Sequence, residues 1–199
     1  MVSSSRFIRW CGLAAIAGGI AYASLSLLGR LSMRLYSPSE PWDVPVLSYI
    51  ERILPVLLLL GAAAAISGLH LAQRERYGLV GTLASLTAFV GVVLIFVGSV
   101  VEVLAGPAFE PSLLFLISGL LIATIGLLTL GTVTLVVRVL PGWAGPLVIL
   151  GSPPFLLFVP ATFENLLAYE TLHPLLAGVA WALVGYALFR VNTPGDPRA

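Results

Sequence analysis

Apolar residues fill this chain in long runs, and polar or charged residues are confined to the gaps between them. Six runs reach membrane-spanning length: 10–28, 53–71, 79–104, 113–137, 141–159 and 172–189. A bilayer core of about 30 Å needs roughly 20 helical residues at 1.5 Å each, and every run is near or above that. The pattern therefore predicts an all-α membrane protein, a six-helix transmembrane bundle forming a single domain over 1–191. The second helix is expected to start near Pro45, a residue suited to a first helical turn. The loop at 29–44 carries Arg30, Arg34, Pro38 and Pro41, and Pro45 follows it. It predicts a short interfacial helix over 30–36 followed by an extended return. Residues 192–199, with Pro194, Gly195 and Pro197, read as a disordered tail.

The fifth run is unlike the others. Between Leu140 and Pro160 it carries Pro141, Pro146, Pro153, Pro154 and Pro160. Each interior proline removes a donor and clashes with the carbonyl four residues back. The helix is expected to break or kink at Gly151, Ser152, Pro153 and Pro154, leaving carbonyls near Leu147–Ile149 to be covered by other groups.

Composition supports the membrane reading. The 199 residues are 59% hydrophobic and 10% charged, against roughly a quarter charged in soluble domains. The mean hydropathy is +1.05. A start with Arg6, Arg9, an apolar stretch and Ala21-Tyr22-Ala23 resembles a signal peptide. The apolar run continues to Leu28, however, so the expectation is a retained first helix.

Charge adds an orientation. All ten basic residues are Arg. With the N-terminus inside, the inner side holds seven arginines and net charge +5, and the outer side three arginines and net charge −4. The positive-inside rule then puts both termini in the cytoplasm. Trp10 and Trp143 fall at the inner boundary, Trp42, Tyr49 and Tyr169 at the outer one. Small residues recur every four positions at Ala15, Gly19 and Ala23, at Ala64 and Gly68, at Gly119 and Ala123, and at Gly178 and Ala182. Such spacing lets helix backbones approach closely.

Candidate chemistry is sparse. No ionisable residue lies mid-span. Glu51, Arg52, Glu102, Glu170 and His173 share one expected depth near the outer interface, where charged groups still favour partners. Arg52 is the natural partner of Glu102. Glu170 and His173 are three apart and share a helix face. One such Glu-x-x-His pair is half of what di-iron bundles use, so no complete metal site is expected; Pro174 would start that helix only at His173. His70 reads as an interfacial residue. The lone Cys11 excludes an internal disulfide and a cysteine metal site. Phosphate-loop, His-Glu-x-x-His and Gly-x-Ser-x-Gly motifs are missing, no cofactor is implied, and no basic aromatic patch suggests nucleic acid.

The opening Arg9-Trp10-Cys11-Gly12-Leu13-Ala14-Ala15-Ile16-Ala17-Gly18-Gly19 resembles the first helix of small uncharacterised multi-pass proteins of high-GC bacteria. The closing Ala180-Trp181-Ala182-Leu183-Val184-Gly185-Tyr186-Ala187-Leu188 is similar to their last helix. That resemblance implies a bacterial inner-membrane location and no activity. Three functional classes follow in order of support. The first is a structural or accessory membrane protein, with the lipid bilayer and other membrane subunits or its own copies as partners. The second is a small transporter or channel for a neutral or apolar solute or a proton, working through the broken fifth span. The third is a membrane enzyme using the outer carboxylate and histidine residues.

Overall fold

A computed structural model of the chain describes residues 2–35, 45–105, 110–152 and 166–191, with side chains over 5–28, 53–102, 104, 112–152 and 172–191. The described residues form five helices with short connections and no strand: α1 (Val2–Leu35), α2 (Pro45–Ala105), α3 (Glu110–Val137), α4 (Ala144–Leu150) and α5 (Leu166–Phe189). Four stretches are long and apolar enough to cross a membrane: Ser5–Leu28, Ile53–Glu102, Ser112–Val137 and Leu172–Phe189.

The first helix differs from expectation. It runs unbroken for 34 residues to Leu35, with no separate interfacial helix. Gly29 alone costs a helix only about 1 kcal/mol, and the first proline of the loop is Pro38. Two prolines likewise fail to stop their helices. Pro55 lies inside α2 and Pro174 inside α5, so α5 begins seven residues before His173. Where backbone groups have no water to turn to, a helix with one missing bond is better than an unwound one.

The 61 residues of α2 are not one rod. Gly78 takes φ 61° and ψ −151°, outside any helix, and divides α2 into limbs 45–77 and 79–105. The Tyr77 hydroxyl is hydrogen-bonded both to His70 Nδ1 in the first limb and to Ser85 Oγ in the second. A continuous helix would hold positions 70 and 85 about 22 Å apart. One hydroxyl cannot reach both, so the limbs fold back on each other as a hairpin. The expected connection over 72–78, between the second and third apolar runs, is thus reduced to a single non-helical residue.

Packing registers give the remaining directions. A Cβ on Gly12 would lie 2.6 Å from the Gly185 carbonyl oxygen, and one on Gly185 would lie 2.5 Å from that of Gly12. Further along, Gly19 meets Gly178 and Ala182. Rising numbers on α1 meet falling numbers on α5, so the two are antiparallel and in backbone contact. The same reasoning makes the first limb of α2 antiparallel to α1, through Gly18 with Gly61 and Cys11 with Gly68. It makes the second limb antiparallel to α3, through Gly91 with Ala123, Ala88 with Gly126 and Gly98 with Leu116. The short α4 lies against α3, with Gly145 beside Gly131 and Leu135. It also touches α5. Several of the small residues picked out by spacing are therefore contact points. The core between the helices is built from Ala65, Ile66, Leu69, Leu127, Leu130, Val148, Val184 and Leu188, all buried.

These registers fix two ends. Cys11, Gly68 and Leu188 meet at one level. Arg6 and Arg9 precede that level on α1, Arg74 and Arg76 follow it on α2, and Arg190 follows it on α5. Arg138 joins them, because it follows Thr134, which bonds Gln73. All six arginines occupy one end. Tyr22 and His173 meet toward the other end.

Candidate functional site

The far end holds the charged residues singled out in the sequence. His173 is half-buried in α5, and its Nδ1 is hydrogen-bonded to the Tyr22 hydroxyl of α1 at 3.3 Å. The two rings meet edge to face, with centroids 5.7 Å apart and planes at 77°. Tyr22 is a partner the sequence reading missed, since nothing local links positions 151 residues apart. Glu102 is half-buried in the last turns of α2. The side chains of Glu51, Arg52 and Glu170 lie outside the described residues, and with them the expected Arg52–Glu102 pair and the Glu170–His173 face. Among the described residues no group of three or more His, Cys, Asp or Glu side chains could hold a metal ion.

The helix break is partly described. Helix α4 ends at Leu150, and Gly151 and Ser152 form a turn; Pro153 and Pro154 lie outside the described residues. The carbonyls expected to be open are not all open. Gly151 N–H donates to Leu147 O at 2.9 Å, and Ser152 N–H donates to Ile149 O at 3.0 Å. The Ser152 hydroxyl, fully buried, also donates to Ile149 O. Prolines at 153 and 154 remove donors only for carbonyls four residues behind them, and the tightened turn serves Ile149 from Ser152 instead. The Gly151 carbonyl accepts from the Trp181 indole N–H of α5 at 3.2 Å. Trp181 therefore faces the bundle, and its indole finds the acceptor that a buried N–H needs.

A third constellation lies at the arginine end. His70, Gln73 and Tyr77 stand three and four residues apart, so one face of the first α2 limb carries all three. Gln73 Nε2 donates to Thr134 Oγ1 of α3 at 3.2 Å, and the Thr134 hydroxyl lies 3.3 Å from Gln73 Oε1. Tyr77 bonds His70 and, at 3.1 Å, Ser85. Gln73, Tyr77, Ser85 and Thr134 are buried. A buried amide or hydroxyl without a partner costs several kcal/mol in hydrocarbon, about 4–8 on the harshest scale. Each of these groups has a partner on another limb or helix, so the network holds the hairpin and α3 together. The 3–4 spacing of His70, Gln73 and Tyr77 is the sequence signal that points to it.

Comparison with protein-family models, with curated proteins and with solved structures found no match for the chain. Its function is therefore argued from its own residues.

Proposed function

We propose that this chain is a multi-pass protein of the bacterial inner membrane with a structural or accessory role, built to pack with other membrane subunits or with its own copies. One observation carries the reading: the polar groups of the apolar spans bond to their own helix or to a neighbouring one. The hydroxyls of Ser67, Ser118, Thr129 and Thr132 donate to carbonyls of their own helices. Gln73 and Thr134 bond each other, and Trp181 serves Gly151. Among the described residues no Asp, Glu or Arg lies between the two ends of the spans. A transport path through hydrocarbon needs polar groups facing a cavity, and these groups already have partners within the protein. The transporter alternative rested on the broken α4, and the Trp181 bond occupies a carbonyl at that break.

The six-pass arrangement with both termini cytoplasmic belongs to the same proposal. The two α2 limbs supply two passes. Ala144 starts at the arginine end, whereas the register of α5 on α1 carries Leu166 past the other end, which supports a fifth crossing between them. Seven of ten arginines then face the cytoplasm, as the positive-inside rule favours.

The test is native mass spectrometry of the full chain from its own membranes in mild detergent. The expected result is a defined assembly larger than the 21.0 kDa monomer, unchanged by Glu102→Gln or Glu170→Gln. A monomer that conducts a solute in proteoliposomes, with flux lost in Trp181→Phe, would overturn the reading.

A further inference from the structure

We infer that the arginine end of the bundle binds the phosphates of anionic phospholipids. Arg6, Arg74, Arg76, Arg138 and Arg190 are exposed there, and Arg9 is half-buried. Glu75 is the single acidic side chain among the described residues of that end. A guanidinium offers a planar fork of donors that matches two phosphate oxygens at once.

The charges do not stand alone. Exposed apolar side chains flank them: Phe7 and Trp10 beside Arg6 and Arg9, Leu79 and Val80 beside Arg76, and Val136 beside Arg138. Leu79 is 73% exposed and Val136 75%. Free phosphate or an acidic protein loop would answer the charge and make no use of these side chains. A phospholipid answers both, with its phosphate on the guanidinium and its chains on the apolar rows. That argument commits the site to lipid.

Arg138 adds an independent observation. It ends α3 with φ 52°, the one non-glycine positive φ among the described residues, and its N–H reaches Thr134 O at 3.3 Å. Glycine is the usual residue at such a helix end. The chain instead keeps a long, exposed cation there, just past the end of α3. A competing account is that Arg74, Arg76, Arg138 and Arg190 simply complement the negative ends of the helices they follow. Helix-end stabilisation does not depend on which lipid surrounds the protein, and so the two accounts separate. The inference rests on the chain being embedded in a membrane and not on its accessory role or its orientation.

The experiment compares the full chain in nanodiscs of phosphatidylcholine with nanodiscs half of phosphatidylglycerol. The expected result is a melting temperature several degrees higher with phosphatidylglycerol, a rise that shrinks in high salt as screening requires. The triple variant Arg74→Gln, Arg76→Gln, Arg138→Gln should lose most of that rise, and the corresponding Lys triple should keep much of it. The pair Arg30→Gln, Arg34→Gln, on the last turns of α1, should keep it all. Equal melting in both lipids, or an unchanged rise in the Gln triple, would overturn the inference. Glycerol phosphate added to phosphatidylcholine nanodiscs should have no effect; a matching rise would assign the site to soluble phosphates instead. Should the Gln triple fail to fold, native mass spectrometry of the wild-type chain decides, by selective retention of phosphatidylglycerol over phosphatidylcholine or by equal loss of both.

Discussion

Tyr77 is the residue on which the polar network of the bundle turns. Its hydroxyl serves His70 Nδ1, the His70 carbonyl and Ser85 Oγ. Removing it leaves buried partners unsatisfied, which costs about 1–3 kcal/mol in general, whereas single hydrogen bonds inside membrane proteins average about 0.6 kcal/mol. Tyr77→Phe should therefore lower stability by about 1–2 kcal/mol. Trp181→Phe, which removes one bond to Gly151, should cost about 0.5–1 kcal/mol. Thr129→Val should be nearly neutral, because its hydroxyl only adds to a carbonyl of its own helix. Unfolding in graded denaturing detergent gives that order, and a Thr129→Val loss as large as that of Tyr77→Phe would contradict it. The face formed by positions 70, 73 and 77 was open to reading from their spacing, although only His70 was singled out. Ser85 and Thr134 were not, because those partners appear only once α2 has folded back and α3 has docked. For the same reason His70, taken by itself, reads as an interfacial side chain. At the far end the His173–Tyr22 contact was hidden by the same lack of any local link.

At the scale of elements, the break at Gly78 falls in the gap between the second and third apolar runs. Its φ of 61° with ψ −151° is a region open essentially to glycine alone, and forcing another residue there costs about 1–3 kcal/mol. A Cβ at Gly78 would touch nothing, and the same holds at Gly142, whose φ is not positive. Gly78→Ala should thus destabilise by about 1–3 kcal/mol through the backbone alone, and Gly142→Ala should be near neutral; equal effects would remove the backbone argument. The hairpin has a direct test as well. In a Cys11→Ser background, His70→Cys with Ser85→Cys should form an internal cross-link with a short bifunctional thiol reagent. A continuous helix, with those positions about 22 Å apart, cannot form it. The close contact of α1 with α5 makes Gly12→Val another probe at this scale. Its side chain must displace the Gly185 carbonyl and the Phe189 backbone, an overpacking that costs about 1–3 kcal/mol or more. Apolar run lengths were enough to locate the long helices. Proline misled at Pro174, because rules for helix ends learned in water weaken where no water competes for the backbone.

Across the whole molecule, the direction of each helix follows from glycine contacts that no single stretch of sequence contains. The spacing of small residues announced close approach; the structure adds which faces approach and in which register. Those registers bring the start of α1, the turn at Gly78, the end of α3 and the end of α5 to the arginine end. The end of α1, the start and end of α2 and the start of α3 fall at the opposite end. On the proposed orientation this arrangement predicts a pattern of access to a membrane-impermeant thiol reagent applied to intact cells stripped of their outer barrier. In the Cys11→Ser background, Ser37→Cys and Ala108→Cys should react. Arg76→Cys and Thr193→Cys should be protected until the membrane is opened. The orientation and the bundle geometry fail separately. If all four responses invert together, the registers stand and the charge rule has misassigned the side. If Arg76→Cys and Ala108→Cys react from the same side, the second limb of α2 does not cross, and the hairpin reading falls with it.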